Sequence, residues 1–292
     1  MWHPVDSTLV HKKSASQVLL VAAEDLGAGS LGIDVALSPD HPLAGRLPLD
    51  ATLLGVEMMR QCAIAFAHRG GGVPLGWAFL MNELTFNWHG GKLPESPGQF
   101  TGRVHVRLCA SRMRKGQISD LQLEADYVSG NVILGSGHGD LSVLPPQTFR
   151  AIRRNAPAMT GEDTGALGVV LAGVNQMPGV LNAQLVWNFR DRFIFDHVSD
   201  HLSGMLFARA ALQSHLLVSG SQALEFSLRC ENFAEYDDAV HISSSSDGSG
   251  ATLTTITQSG RNIAFGRCIG PRIMGTAGPE AGRFHRQLTP AP

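Results

Sequence analysis

Cysteine is scarce and scattered in this chain. Cys62, Cys109, Cys230 and Cys268 include no Cys-x-x-Cys pair, so neither a disulfide framework nor a thiolate metal site is expected. Charge of one sign is lacking too. A net charge of −2 with a pI near 6.6 creates no general field for nucleic acid or for an anionic membrane. Long apolar runs are absent: the longest, Ala166 to Val174, is far short of the roughly 20 residues that cross a bilayer. The opening MWHPVDSTLVHKK has neither the apolar core nor the small-residue cleavage site of a signal peptide. The expectation is a reduced, cytoplasmic protein with no membrane or nucleic-acid partner.

What is present is enough apolar residue for a large core: 43% of 292 residues, with 16% charged, about two average domains in length. The stretch PPQTFRAIRRNAPAMTGEDTG, 145–165, has a connector's composition of prolines, basic residues and small polar residues. It divides the chain into 1–144 and 166–275, with a tail over 276–292 that has little to bury. Each side shows the same order of parts: an apolar lead-in, a polar turn, one long apolar helix and a series of strands.

In the first half Asp50 is an N-cap candidate for a helix to about His68, which Gly70 to Gly72 would end. Leu53, Leu54, Val56, Met58, Met59, Ile64 and Phe66 cover that helix on nearly every side, so burial all round is expected. Strands are expected over 79–88, 99–112, 119–129 and 132–143, with Gly130-Asn131 as a hairpin turn. The second half repeats the pattern with a helix over about 203–218 and strands near 223–233, 241–246, 252–259 and 262–270, with Asp247-Gly248 as its turn. Two curved antiparallel sheets, each wrapped round one helix, satisfy both halves. The expected fold class is therefore α+β, a doubled hotdog arising by internal duplication.

Several clusters could carry chemistry. Glu57 and Arg60 share a helix face three residues apart, and in apolar surroundings each needs the other or a ligand. They form either a structural ion pair or a site in which Glu57 takes a proton and Arg60 holds an anion. His197 and His201, with Asp196 and Asp200, have two-ligand spacing. No third ligand group or His-Glu-x-x-His pattern supports a metal, however, so no metal is expected and these residues are assigned to shaping a pocket. Asp200 or Ser203 would cap the following helix. Gly135 to Gly139, GSGHG, precedes no helix that could receive a phosphate, which points to a bulge or a close backbone approach. The basic runs 112–115 and 150–154 read as exposed loop charge, in preference to a binding site for a carrier arm.

Three segments, VHKKSASQVLL from Val10, DATLLGVEMMRQCAIAFAHRGGGVPLGWAFLMNELTF from Asp50 and FDHVSDHLSGML from Phe195, together resemble the A-factor biosynthesis (AfsA-type) family of γ-butyrolactone signal synthases. The resemblance spans both halves. It implies two hotdog repeats and transfer of a β-ketoacyl group, from a carrier-protein or coenzyme A thioester, to dihydroxyacetone phosphate or a similar acceptor, without a cofactor. It places Glu57 and Arg60, followed by Gln61, at the family's functional positions. In the second repeat the Glu position is Arg209, the Arg position is Leu212 and the usual Pro is Ser203, while Gln213 is kept. Glu57 and Arg60 are thus the catalytic candidates, and Arg209, His197, His201, Asp200, Gln61 and Gln213 the substrate-binding ones. A dehydratase pairing Glu57 with His197 or His201 and a ligand-binding pseudoenzyme remain as alternatives. A homodimer is compatible with sheets that pair edge to edge.

Overall fold

The computed structural model describes residues 3–157, 162–197 and 199–271. The first half runs β1 (His3–Pro4), β2 (Leu20–Gly27), β3 (Ser30–Ala36), α1 (Ala51–Arg69), β4 (Ala78–Trp88), β5 (Thr101–Arg114), β6 (Gln117–Ser129) and β7 (Val132–Leu144). A short helix, α2 (Pro146–Ile152), then leads to β8 (Leu171–Met177), β9 (Val180–Leu185), α3 (Gly204–Ser219), β10 (Glu225–Cys230), β11 (Val240–Ser246), β12 (Ala251–Gln258) and β13 (Arg261–Ile269). The expected connector contains this helix, while its residues 158–161 and the expected tail from 276 lie outside the described residues.

All strands join one antiparallel sheet in the order β1-β2-β3-β5-β6-β7-β4-β10-β13-β12-β11-β9-β8. Leaving β1 aside, the strands of each half follow the same sequence of neighbours: first, second, fourth, fifth, sixth, third. This is the hotdog order, met twice. The third strand of each set, β4 and β10, pair with each other, setting Phe86 opposite Phe226 and Leu84 opposite Leu228. All four side chains are buried, so the seam between the halves is continuous apolar core.

α1 packs on β4 and β7, α3 packs on β11, β12 and β13, and the two helices touch. Every residue of α1 is buried except Arg60 and the terminal Arg69, which is why apolar residues cover nearly every side of it. Asp50 stands at the N-cap position, but its side chain makes no capping bond; it is drawn to Arg46 instead. Ser203 does cap α3, its Oγ accepting from the Leu206 amide.

The GSGHG run is part of β7 and is explained by close approach. A Cβ added at Gly137 would stand 2.6 Å from the Thr85 carbonyl oxygen and 2.8 Å from the Met59 side chain, and one at Gly135 would stand 2.7 Å from the Asn87 carbonyl oxygen. These glycines let β4 and α1 press onto β7. Gly139 is different, since its added Cβ would meet nothing nearer than 3.7 Å. Gly137→Val is therefore expected to lower stability by about 1–3 kcal/mol through overpacking, with Gly139→Ala close to neutral; urea denaturation of the two variants measures the contrast.

Candidate active site

A cavity of about 530 Å³ lies between the halves. Its walls come from the segment before β2 (His11, Lys12), α1 (Arg60, Ile64), β4 (Phe79 to Asn82), the lead-in and start of α3 (Phe193 to Phe207) and the end of β10 with the segment after it. Ile64, Phe79, Met81, Leu141, Met205 and Phe207 form an apolar middle, with one polar pole at Lys12 and Arg60 and a second at Arg153, His201 and Glu235.

The first pole is organised by Glu57. This carboxylate is fully buried. Arg60 grips it with two bonds, Nε and Nη2 each at 2.8 Å, Gln61 Nε2 donates at 2.7 Å, and the Lys12 ammonium lies 3.3 Å away. Burial pushes the Glu57 carboxyl up, but the charges of Arg60 and Lys12 and the bonds from Arg60 and Gln61 outweigh it and hold the group well below the usual carboxylate range. A carboxylate so saturated is a poor proton acceptor, and it does not form part of the cavity wall. The sequence-based assignment of Glu57 as the proton acceptor is corrected accordingly: Glu57 fixes Arg60. Gln61 is likewise structural, accepting from the Leu19 amide at 2.9 Å and donating to the Gln17 carbonyl at 2.8 Å.

Lys12 spends its donors on Glu57, Gln17 and the Phe193 carbonyl. It gives the cavity positive charge without a free N–H. Arg60 keeps Nη1 unpartnered among the described residues. Beside them stand His11, pushed down to about 4 by burial and then by Arg60, His68 and His197, and His197, lowered by burial, Arg60 and Lys12. Asp196 ties the α3 lead-in to the segment before β2, accepting from the Lys13 and Ser14 amides and from Gln17. Lys12, Gln17 and His11 were missed from sequence. They lie in the VHKKSASQ segment, where spacing gives no clue that the chain returns to α1.

At the second pole His201 Nδ1 meets Asp200 at 2.6 Å. The bond from His201 and then the Arg153 Nε bond bring the Asp200 carboxyl down to about 2. Arg153 also holds Glu235 with two bonds, at 2.6 and 2.7 Å, and its side chain is only 7% exposed. The reading of 150–154 as exposed charge thus fails at Arg153, whose counter-ions come from sequence-distant loops. Asp200 holds the His201 ring and does not itself line the cavity.

Arg209 is not where substrate binding would need it. It is 3% exposed, bonded to Asp191, 3.6 Å from Asp50, and outside the cavity lining. Its expected role as a phosphate ligand is corrected: two aspartates neutralise it, and it stacks over Phe193 at 5.3 Å. Gln213, half-buried, is also outside the lining. Glu57, Arg60, His197 and His201 are brought to or just behind one cavity; Arg209 and Gln213 are not.

Residues 1–145 match the family described as A-factor biosynthesis hotdog domain. The chain is 28% identical over 273 residues to a 2-oxo-3-(phosphooxy)propyl 3-oxoalkanoate synthase of Streptomyces coelicolor, covering 88% of this chain and 87% of that one. A protein of the same name from Streptomyces griseus is 26% identical over 298 residues, covering 94% and 97%. Among solved structures, a 12:0-ACP thioesterase from Umbellularia californica superposes with a TM-score of 0.51 at 10% identity, covering 84% of this chain and 98% of that one. At that identity the likeness establishes the hotdog fold alone.

Two outcomes follow from the charge clusters. Arg209→Met leaves the half-buried Asp191 without its cation, so a stability loss of about 1–3 kcal/mol is expected in chemical denaturation, with ligand affinity of the folded variant unchanged. His11 and His41 are both held near 4, below the ordinary 6.5, chiefly by burial. The unfolded chain therefore binds more protons between those values, and this stability is complete above pH 6.5 and lost as pH falls towards 4. Urea midpoints at pH 7.5 and pH 5 should show the loss, and a His11→Asn/His41→Asn double variant should flatten it.

Proposed function

With residues 1–145 forming an A-factor biosynthesis hotdog domain and a second repeat that diverges from it, the chain is a member of that family, and from this premise we propose that it is an acyl-transferring enzyme. The reaction is transfer of a β-ketoacyl group from a carrier-protein or coenzyme A thioester to the hydroxyl of dihydroxyacetone phosphate. The product is the 2-oxo-3-(phosphooxy)propyl 3-oxoalkanoate named for its Streptomyces relatives, a precursor of the butenolide and γ-butyrolactone type.

The observation that carries this reading is the separation of charge at the first pole. Lys12 and Arg60 face the cavity, while their carboxylate partner Glu57 is sealed behind them. An anion entering from the apolar middle meets positive charge in a partly dry environment, where attraction is stronger than in water. Arg60 Nη1 supplies a directed donor to a phosphate oxygen, and the Glu57 grip fixes the guanidinium plane. The wall of Ile64, Phe79, Met81, Leu141, Met205 and Phe207 offers an alkyl chain the apolar surface it requires, and the cavity volume is within the range of small-molecule sites. Glu57 acts as a positioning residue and Arg60 as the phosphate ligand.

The test is incubation of the full chain with a medium-chain 3-oxoacyl coenzyme A and dihydroxyacetone phosphate, with mass spectrometry of the products. The expected outcome is the phosphorylated keto ester. Arg60→Gln should raise KM for dihydroxyacetone phosphate by about 10–100-fold, the worth of one charge-assisted hydrogen bond. Absence of the ester with folded wild-type protein overturns the reading.

A further inference from the structure

The transfer reaction needs a group to receive the hydroxyl proton, and Glu57 is sealed and fully hydrogen-bonded. We infer that His11 is that proton acceptor, its reactive lone pair fixed on Nδ1 by a hydrogen-bonded chain that runs through His68 to the Val73 carbonyl. This inference rests on the transfer reading above.

The chain of bonds determines the tautomer. His68 Nδ1 lies 2.8 Å from the Val73 carbonyl oxygen. That oxygen can only accept, so the His68 proton sits on Nδ1. A neutral imidazole carries one N–H, which leaves His68 Nε2 as an acceptor. His11 Nε2 lies 3.3 Å from it and must be the donor, so the open lone pair of His11 is on Nδ1. His197 also stands beside Arg60, but its ring has no hydrogen-bond partner among the described residues, so nothing there selects a tautomer. His201 has its tautomer set by Asp200, but it is grouped with Arg153 and Glu235, not with Arg60.

Backbone and packing place the His11 ring deliberately. His11 has φ of 55° at the end of the Ser7–Val10 turn, a conformation uncommon outside glycine and often found at functional sites. The ring stands edge-on to Phe79, with centroids 5.1 Å apart. The charged and titratable groups acting on it are Arg60 and His68 from α1 and His197 from the α3 lead-in. Burial first, and then the Arg60 charge, keep the ring neutral at rest. A phosphate dianion on Arg60 offsets that repulsion, so His11 becomes a better base once the acceptor is bound.

In the step itself, the acceptor oxygen bonds to the thioester carbonyl carbon and its proton passes to His11 Nδ1. The adduct then collapses, the C–S bond breaks, and the departing thiolate takes the proton from His11, restoring the neutral ring. The imidazolium formed between these events keeps its Nε2–H bond to His68, which stabilises the charge.

Two measurements on the full chain test this. In wild-type protein labelled with ¹⁵N-histidine, two-bond ¹H–¹⁵N spectra at pH 7 should show His11 protonated on Nε2 and bare on Nδ1, with the signal identified by its loss in His11→Asn. The opposite tautomer, or a charged ring, overturns the inference without any assay of turnover. In the transfer assay, His11→Asn should lower kcat by about 10²–10⁴-fold, the usual worth of a general base, with KM for dihydroxyacetone phosphate nearly unchanged. His68→Phe should lower kcat less and displace its pH profile, as a positioning residue would. If His11→Asn misfolds, His11→Gln supplies the assignment and the wild-type spectrum decides. Retained kcat in folded His11→Asn removes the role of His11 and leaves the transfer reading standing, whereas a wild type that forms no ester removes both.

Discussion

The ion pair of the buried Glu57 with the partly buried Arg60 is the constraint on which the rest of the site depends. Removing a carboxylate and a guanidinium from water is costly, and it is tolerated only where every charged oxygen finds a donor. Glu57 meets that condition with Arg60, Gln61 and Lys12, and each of these ties a different part of the chain to α1. Gln61 fixes the backbone at Gln17 and Leu19, and Lys12 fixes the Phe193 carbonyl of the second half. Because the carboxylate is fully engaged, the cations can show the cavity their outer faces. Structure and site electrostatics are therefore one arrangement, and a role for Glu57 as a base would require dismantling it.

The two central helices were built to one plan and carry different chemistry. Where α1 has a carboxylate, α3 has Arg209, and the structure surrounds it with Asp191 and Asp50. Arg46 completes this cluster by pairing with Asp50, so that two cations face two anions and no charge is left over for a ligand. Phe193 lies between the two clusters, with Lys12 Nζ 5.5 Å and Arg209 Cζ 5.3 Å from its ring centroid. The first cluster borders the cavity between the halves, and the second is an ion network that ties the start of α1 to α3. The first helix thus sets its ion pair against the cavity, whereas the second sets its arginine in an ion network outside the lining.

Much of the architecture was legible because it follows from short-range rules. The all-round burial of α1 was visible in apolar residues on nearly every side, the later strands in their alternation, and the hairpins in Gly130-Asn131 and Asp247-Gly248. The hairpins β2–β3 and β8–β9 were read only as apolar lead-ins, because a short apolar run does not distinguish a strand from a buried helical segment. Arg153 was misread for a related reason: its neighbours Arg150 and Arg154 lie outside the ion network, and only Asp200 and Glu235, 47 and 82 residues away, draw it inward.

The sequence by itself determined two helix-centred repeats, the Glu57–Arg60 face and the absence of any metal-ligand pattern, since helical period, turn chemistry and cysteine spacing act within a few residues. Only the tertiary structure decided which groups face a ligand. It sealed Glu57, neutralised Arg209 and brought His11 and Lys12, far from α1 in sequence, against Arg60. Burial and long-range pairing set the charge, tautomer and access of a side chain, and those properties arise from contacts that no local spacing records.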